Sequence, residues 1–153
     1  MRVFFGLLAV SALGVVASAC GGDDNPANST PVSSLTVDLS NWAVKPSATT
    51  LAAGKVSFTI SHAMYHGGMN ATDGGATHQL VVAPLEAGAK DGQNKYGKPL
   101  LNVTDLKPGD TKTQDVELTP GTYELACLIV EDLGGGKSAN HYEKGMHTTV
   151  VVK

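Results

Sequence analysis

The sequence is poor in cysteine, in basic residues and in aromatic residues. Its 153 residues include two Cys, one Trp, three Phe and four Tyr. Two thiols are too few for the disulfide framework of a small secreted scaffold. Without Arg2, ten basic residues stand against 14 acidic ones, which gives a net charge of −4. The composition therefore provides neither the basic surface of a nucleic-acid-binding protein nor a polybasic patch for anionic lipid.

Long apolar runs are also scarce, and the clearest one lies at the N-terminus. Residues 3–16 are apolar or small, follow Arg2, and form a stretch too short to span a bilayer comfortably. This pattern predicts an export signal over residues 1–19. Residues 20–34 are mostly Gly, Asp, Asn, Pro, Ser and Thr, so they cannot bury enough surface to fold and are predicted to form a flexible tether.

The four residues 17–20, Ala-Ser-Ala-Cys, resemble the lipobox of bacterial lipoproteins. By that resemblance the signal is removed before Cys20, which is then acylated with fatty acids such as palmitate. Several acyl chains hold a protein stably on a membrane. The resemblance thus implies an exported protein that is lipid-anchored to the extracytoplasmic face of a bacterial membrane. The alternative is an ordinary secretory signal that leaves Cys20 free.

The remaining residues, 35–153, are enough for a single domain. Short segments in this range alternate apolar and polar residues, and alternate side chains of a strand share a face. The apolar positions are Leu35, Val37 and Leu39; Val56, Phe58 and Ile60; Val116 and Leu118; and Tyr123, Leu125, Cys127 and Ile129. No segment shows a sustained helical period, although residues 85–99 are predicted to form either a short helix or an excursion between strands. With 18 Gly, this pattern favours an all-β sandwich or barrel.

Cys127 is the one thiol left once the export signal has used Cys20. A lone thiol in an exported protein is an inert core residue, a reactive site or a metal ligand. His141 and Met146 follow Cys127, and His78 stands at the head of an apolar strand far upstream. Each alone is most simply a core or strand-end residue. Together, two imidazoles, a thiolate and a thioether form a mixed soft-ligand set that suits copper.

Three sequence elements resemble the cupredoxins: Thr77–Val82, Pro120–Cys127, and the final His-x-x-x-Gly-Met motif at His141–Met146. By that resemblance residues 35–153 form a Greek-key β-sandwich with one type 1 (blue) copper. His78, Cys127 and His141 would be its strong ligands and Met146 its weak axial one. The resemblance implies electron transport without enzyme activity, with an unidentified redox protein as partner. That partner would meet the edge of the His141 imidazole at the surface.

The sequence departs from the family in the length of the segment between Cys127 and His141. Thirteen residues, 128–140, separate Cys127 from His141, where most cupredoxins have only a few. The extra stretch either bulges outward, opens the site to water or covers the electron-exit edge. Glu131, Asp132 and Glu143 are interpreted as solvated surface charges. His147 is left out of the ligand set because on a strand it points away from Met146.

The segment between the second and third predicted strands is rich in further copper donors: His62, Met64, His66 and Met69. These residues are interpreted either as incidental members of a Gly-rich loop or as a second, exposed copper site, since thioethers and imidazoles attract Cu(I). Two other functions stay open beside electron transfer. One is a copper chaperone or scavenger that uses residues 62–69, and the other is a metal-free cupredoxin-like binding module.

Overall fold

The computed structural model describes residues 33–40, 42–63 and 77–153. The predicted export signal, Cys20 and most of the predicted tether lie outside these residues. Every regular element in the described ranges is a β-strand, and none of these ranges holds a helix long and apolar enough to cross a bilayer. The strands are β1 (Ser34–Ser40), β2 (Ala43–Pro46), β3 (Thr50–Leu51), β4 (Gly54–His62), β5 (His78–Pro84), β6 (Leu101–Leu106), β7 (Thr111–Leu118), β8 (Gly121–Ala126), β9 (Val130–Gly134), β10 (Lys137–Asn140) and β11 (His147–Val152).

The strands form two main sheets and one separate hairpin. One sheet has the order β2-β1-β4-β7, and the other has the order β3-β11-β8-β5-β6. Strand pairs are antiparallel except for β1 with β4 and β3 with β11, which are parallel. The hairpin β9-β10 stands apart from both sheets. The predicted all-β sandwich is confirmed for the described residues.

The core lies between the two sheets and is built from the alternating apolar positions of their strands. In β1 and β4 the burial alternates residue by residue, as predicted. Tyr123, Leu125 and Cys127 face the same core, also as predicted, whereas Ile129 lies beyond the end of β8 and is only partly buried. Burial of these side chains is the main source of stability, at roughly 1.5–3 kcal/mol for each large one.

Residues 85–100 form the predicted excursion between strands, without a helix. The segment leaves β5 and returns to β6 through turns and a single bridge between Leu85 and Tyr96. Backbone hydrogen bonds from Leu85 N to Thr122 O (2.9 Å) and from Gly97 N to Pro84 O (2.8 Å) tie it to the five-stranded sheet. It contacts the outer face of that sheet, where the Gly92 N–H reaches the Glu124 side chain.

Three chain segments meet at one end of the five-stranded sheet. Strands β5 and β11 begin there and β8 ends there, because β8 is antiparallel to both neighbours. His78 is the first residue of β5, Cys127 directly follows β8, and Met146 directly precedes β11. The topology therefore brings together side chains that are up to 68 positions apart in the sequence.

Candidate metal centre

The Cys127 thiol is fully buried at the end of β8 and is fixed by backbone hydrogen bonds. The backbone N–H of Gln79 donates to Cys127 Sγ at 3.3 Å, and the Gln79 side-chain carbonyl accepts from Leu128 N–H at 3.3 Å. Burial raises the pKa of the Cys127 thiol, while N–H groups of Ile129 and Gln79 partly offset that effect. A bound cation would favour the thiolate form, which burial otherwise disfavours.

Two imidazoles converge on this sulfur. His141 Nδ1 lies 3.4 Å from Cys127 Sγ and 3.3 Å from His78 Nδ1. All three donor atoms lie within 4.8 Å of one another. Donors bound to one cation at about 2.0–2.3 Å are separated by about 3.3–3.8 Å. The spacing of these side chains therefore fits a single metal ion, held through Nδ1 of each histidine.

Both imidazoles are suited to metal binding because they remain neutral near pH 7. Burial, followed by the neighbouring His62 and His141, lowers the pKa of His78 to about 3. Burial also lowers the pKa of His141, although the nearby Glu131 carboxylate opposes this shift. Neutral imidazoles keep a lone pair on one nitrogen, which is the atom that a metal ion requires.

The structure corrects two predictions at the outer edge of His141. The predicted surface exposure of this imidazole is wrong, because His141 is 0% exposed. Glu131, interpreted as a solvated surface charge, has a side chain only 19% exposed, and its Oε2 lies 3.6 Å from His141 Nε2. Neither atom has a hydrogen-bond partner among the described residues. When Nδ1 binds a metal, Nε2 carries the proton, and carboxylates commonly accept that N–H.

The long segment 128–140 explains both corrections. It folds into the hairpin β9-β10, in which Glu131 pairs with Ala139 and Val130 pairs with Asn140. The His141 N–H donates to Ile129 O at 2.9 Å, which closes the hairpin directly against the predicted ligand. Of the three outcomes considered for this segment, the structure shows the one in which it covers the histidine edge.

Trp42 covers another side of His141. The two rings are perpendicular, with centroids 5.0 Å apart. Trp42 has a φ of 61°, in the left-handed region that non-glycine residues seldom adopt, and Gly145 passes close to its carbonyl oxygen. A Cβ at Gly145 would lie 3.3 Å from that oxygen, so the loop can approach Trp42 this closely because residue 145 is glycine. No sequence pattern indicates these contacts of Trp42, Gln79 and Glu131, since each joins separate segments of the chain.

Met146 is fully buried in the core at the same end of the sandwich. Its backbone N–H donates to His141 O at 3.0 Å, and its carbonyl accepts from the Cys127 N–H at 2.9 Å. These bonds hold the methionine backbone between the backbones of two other predicted ligands. Its role as the axial ligand stays a prediction.

His62 is the one described member of the predicted second copper site. It is buried rather than exposed, and its Nδ1 donates to Leu106 O at 2.9 Å. Its ring lies 4.2 Å from that of His78, between centroids, so it packs behind the first site. Met64, His66 and Met69 lie outside the described residues, and copper binding by residues 62–69 stays a prediction.

No family model and no curated protein matches the chain. Among solved structures, it is similar to dithionite-reduced auracyanin from the photosynthetic bacterium Roseiflexus castenholzii. The two are 17% identical with a TM-score of 0.55, over 81% of this chain and 99% of auracyanin. Rusticyanin from Thiobacillus ferrooxidans is 15% identical with a TM-score of 0.47, over 78% of this chain and 76% of rusticyanin. A multicopper oxidase from Pediococcus acidilactici is 14% identical with a TM-score of 0.42, over 97% of this chain and 30% of the oxidase.

The likeness to auracyanin, at 17% identity, shows the fold alone. The described chain has the cupredoxin fold, which confirms the predicted fold class. At the end of its sandwich lies a His-Cys-His group consistent with a type 1 copper site.

Proposed function

We propose that the protein is an electron carrier that holds one type 1 copper ion and transfers single electrons outside the cytoplasm. The observation that carries the proposal is the convergence of His78 Nδ1, Cys127 Sγ and His141 Nδ1 within 4.8 Å at a fully buried point. Auracyanin, which shares the fold, is known in a dithionite-reduced form, and this supports redox chemistry for the site.

Bound copper supplies a one-electron couple between Cu(II) and Cu(I). The His78 and His141 imidazoles and the Cys127 thiolate would be its strong ligands, and the Met146 thioether its weak one. The Gln79 N–H stabilises the charge on sulfur. Glu131 Oε2, now 3.6 Å from His141 Nε2, would with a small shift accept a hydrogen bond from the Nε2–H and so fix the orientation of that ring. Because the ligands are packed in the core, they move little between the two oxidation states, and no substrate bond is made or broken.

Because His141 is buried, the redox partner cannot contact its imidazole edge directly, and the proposed docking surface changes. The hairpin β9-β10 covers the imidazole edge, and Val130 on that hairpin is 60% exposed. We therefore place the contact with the redox protein partner on the outer side of this hairpin. Electrons would then cross the hairpin between partner and copper.

The test of copper binding is optical. The copper(II)-loaded protein is expected to show intense visible absorption from charge transfer between the Cys127 sulfur and copper. Cys127→Ser should abolish this absorption, while Glu143→Gln, at an exposed position, should leave it unchanged. A colourless protein that nevertheless contains stoichiometric copper would contradict the proposal.

We also propose that Cys20 carries the lipid anchor. The support is the lipobox-like motif that ends in Cys20. In bacterial cells, Cys20→Ser is expected to move the protein from the membrane fraction to a salt-soluble fraction and to abolish incorporation of labelled palmitate. Cys127→Ser is the matched control and should leave both unchanged. Incorporation that persists in Cys20→Ser would contradict this assignment.

A further inference from the structure

A second cluster of metal-binding side chains lies on the opposite face of the same strands. Side chains alternate along β8 and β11, so Cys127 and Met146 face the core while Glu124 and His147 face outward. Asp91, from the excursion over residues 85–100, joins them. One ligand atom from each of Asp91, Glu124 and His147 lies within 4.8 Å of the other two.

Glu124 is the unusual member because it is a carboxylate buried in the fold. It is 1% exposed, although it lies on the outer face of the sheet. Its Oε1 accepts from the Tyr142 hydroxyl at 2.7 Å and from the Gly92 N–H at 3.3 Å. Its Oε2 has no hydrogen-bond partner among the described residues. A buried carboxylate oxygen without a partner carries a desolvation cost that a bound cation would remove.

Asp91 and His147 form the accessible side of the cluster. His147 Nδ1 lies 2.9 Å from Asp91 Oδ1, and the two side chains are 24% and 45% exposed. They can adjust, and solvent can reach them. Gly92 allows the excursion to come this near, because a Cβ there would lie 2.9 Å from His147 Cε1. Solvent is thus excluded from the cluster at Glu124 and can reach it at Asp91 and His147.

Tyr142 holds the buried carboxylate in position without being a ligand. Its hydroxyl donates to Glu124 Oε1 and accepts from the Asn94 N–H at 2.7 Å. Burial and the contact with Glu124 raise the pKa of Tyr142, so it stays a phenol. Its ring also packs on that of His147, with centroids 4.7 Å apart. Such outer contacts commonly orient metal ligands.

We propose that Asp91, Glu124 and His147 form a binding site for a divalent cation of the Zn²⁺ type. Two carboxylates and one imidazole balance a charge of +2. They offer the oxygen and nitrogen donors that borderline ions accept at about 2.0–2.2 Å, with water completing the shell. The set contains no thiolate or thioether, so it does not favour Cu(I). Binding would draw the exposed Asp91 and His147 toward Glu124 and clamp the excursion onto the sheet.

The experiment is a titration of the copper-loaded, full-length protein with ZnCl₂, followed by calorimetry and by elemental analysis. One zinc ion per chain is expected beyond the copper. Glu124→Gln and His147→Gln should each weaken zinc binding at least tenfold. Gln at position 124 keeps an acceptor for Tyr142 and Gly92, and circular dichroism checks that the variant is folded. If Glu124→Gln does not fold, zinc binding by His147→Gln, a change at a partly exposed position, decides.

Two controls separate this site from the others. Glu143→Gln alters an exposed acidic residue outside the cluster. His66→Gln alters the predicted second copper site at residues 62–69. Both variants should bind zinc as the parent does. Zinc binding should also persist in Cys127→Ser, so the outcome does not depend on the copper proposal. The proposal is overturned if no zinc binds, if Glu124→Gln and His147→Gln bind zinc like the parent, or if His66→Gln abolishes binding.

Discussion

The two donor clusters of this protein differ in chemistry and in burial, although both take a residue from the end of β8: Cys127, which directly follows it, and Glu124. On the core side of the five-stranded sheet, His78, Cys127 and His141 are fully buried and their ligand atoms are already at metal-bound spacing. On the outer side, Glu124 is buried while Asp91 and His147 are partly exposed. A packed, soft-ligand cluster suits a resident redox ion. An open cluster with oxygen ligands suits an ion that exchanges with solvent.

The comparison shows how burial sets the protonation states of metal-binding side chains before a metal ion binds. In the inner cluster, packing lowers the pKa of both histidines and raises that of the Cys127 thiol. A metal ion bound there would need to displace only the thiol proton, because the imidazoles are already neutral. In the outer cluster, one carboxylate is held by Tyr142 and Gly92, and the other two side chains are partly exposed and contact each other.

The largest expected effect is that a single substitution impairs metal binding at one cluster and leaves the other cluster intact. Cys127→Ser should remove the visible copper absorption and leave zinc binding within about threefold of the parent. Glu124→Gln should do the reverse, with the copper absorption retained and zinc binding weakened at least tenfold. Absorption spectra and zinc calorimetry on both variants measure this. Loss of both properties in either variant would show that the clusters are not independent.

The next effect is the acid sensitivity of the metal-free protein. His78 has a pKa of about 3 when folded, against an ordinary value of 6.5. As the pH falls below 6.5, the His78 imidazole becomes protonated in the unfolded chain but stays neutral in the folded chain. The free energy of unfolding therefore decreases, with a limiting slope of about 1.4 kcal/mol per pH unit for this one group. Urea unfolding at pH 6.5 and at pH 5 should therefore differ by about 1.6 kcal/mol from His78 alone.

His78→Gln should flatten the dependence of unfolding free energy on pH between 6.5 and 5. Urea unfolding of the parent and of His78→Gln at both pH values measures this. Equal slopes in His78→Gln and the parent would contradict the assignment of acid sensitivity to the buried histidine.

A smaller effect is expected from Tyr142→Phe. The substitution removes the hydroxyl that donates to Glu124 and accepts from Asn94. It leaves the part-buried Asn94 N–H without its acceptor and leaves Glu124 Oε1 with the Gly92 N–H alone, at a cost of about 1–3 kcal/mol in unfolding free energy. Urea denaturation measures the change, and Tyr96→Phe on the same excursion is the control. A stability equal to that of the parent would show that the hydroxyl does not support the outer cluster.

The smallest effect concerns Glu131 beside His141. Glu131→Gln removes a negative charge close to the inner cluster, which disfavours Cu(II) relative to Cu(I), so the reduction potential should rise modestly. Asp132→Asn changes the adjacent residue of the hairpin, which is exposed, and should shift the potential less. Redox titration of the copper-loaded variants measures both. A larger shift in Asp132→Asn would contradict the placement of Glu131 next to the ligand.

The sequence predicted the strands from local alternation, and the inner cluster from the ligand types of its residues together with the resemblance to the cupredoxins. Alternation placed Leu125 and Cys127 on the core face, and the ligand types of the four distant residues indicated copper before any geometry was known. The same alternation correctly directed His147 away from Met146. It could not identify what His147 contacts, since Asp91 is 56 positions away and reaches it through an irregular excursion with no periodic signal.

The fold class and the donor residues of the proposed copper site were thus contained in the sequence, because side-chain alternation and metal preference depend on residue type and order. Tertiary structure alone decided that segment 128–140 folds back over His141, that Glu131 faces its Nε2, and that Glu124 is buried beneath residues 85–100. The physical reason is that these contacts arise from the packing of irregular segments onto sheets. Their energies depend on distances between residues far apart in the chain, and no local pattern encodes those distances.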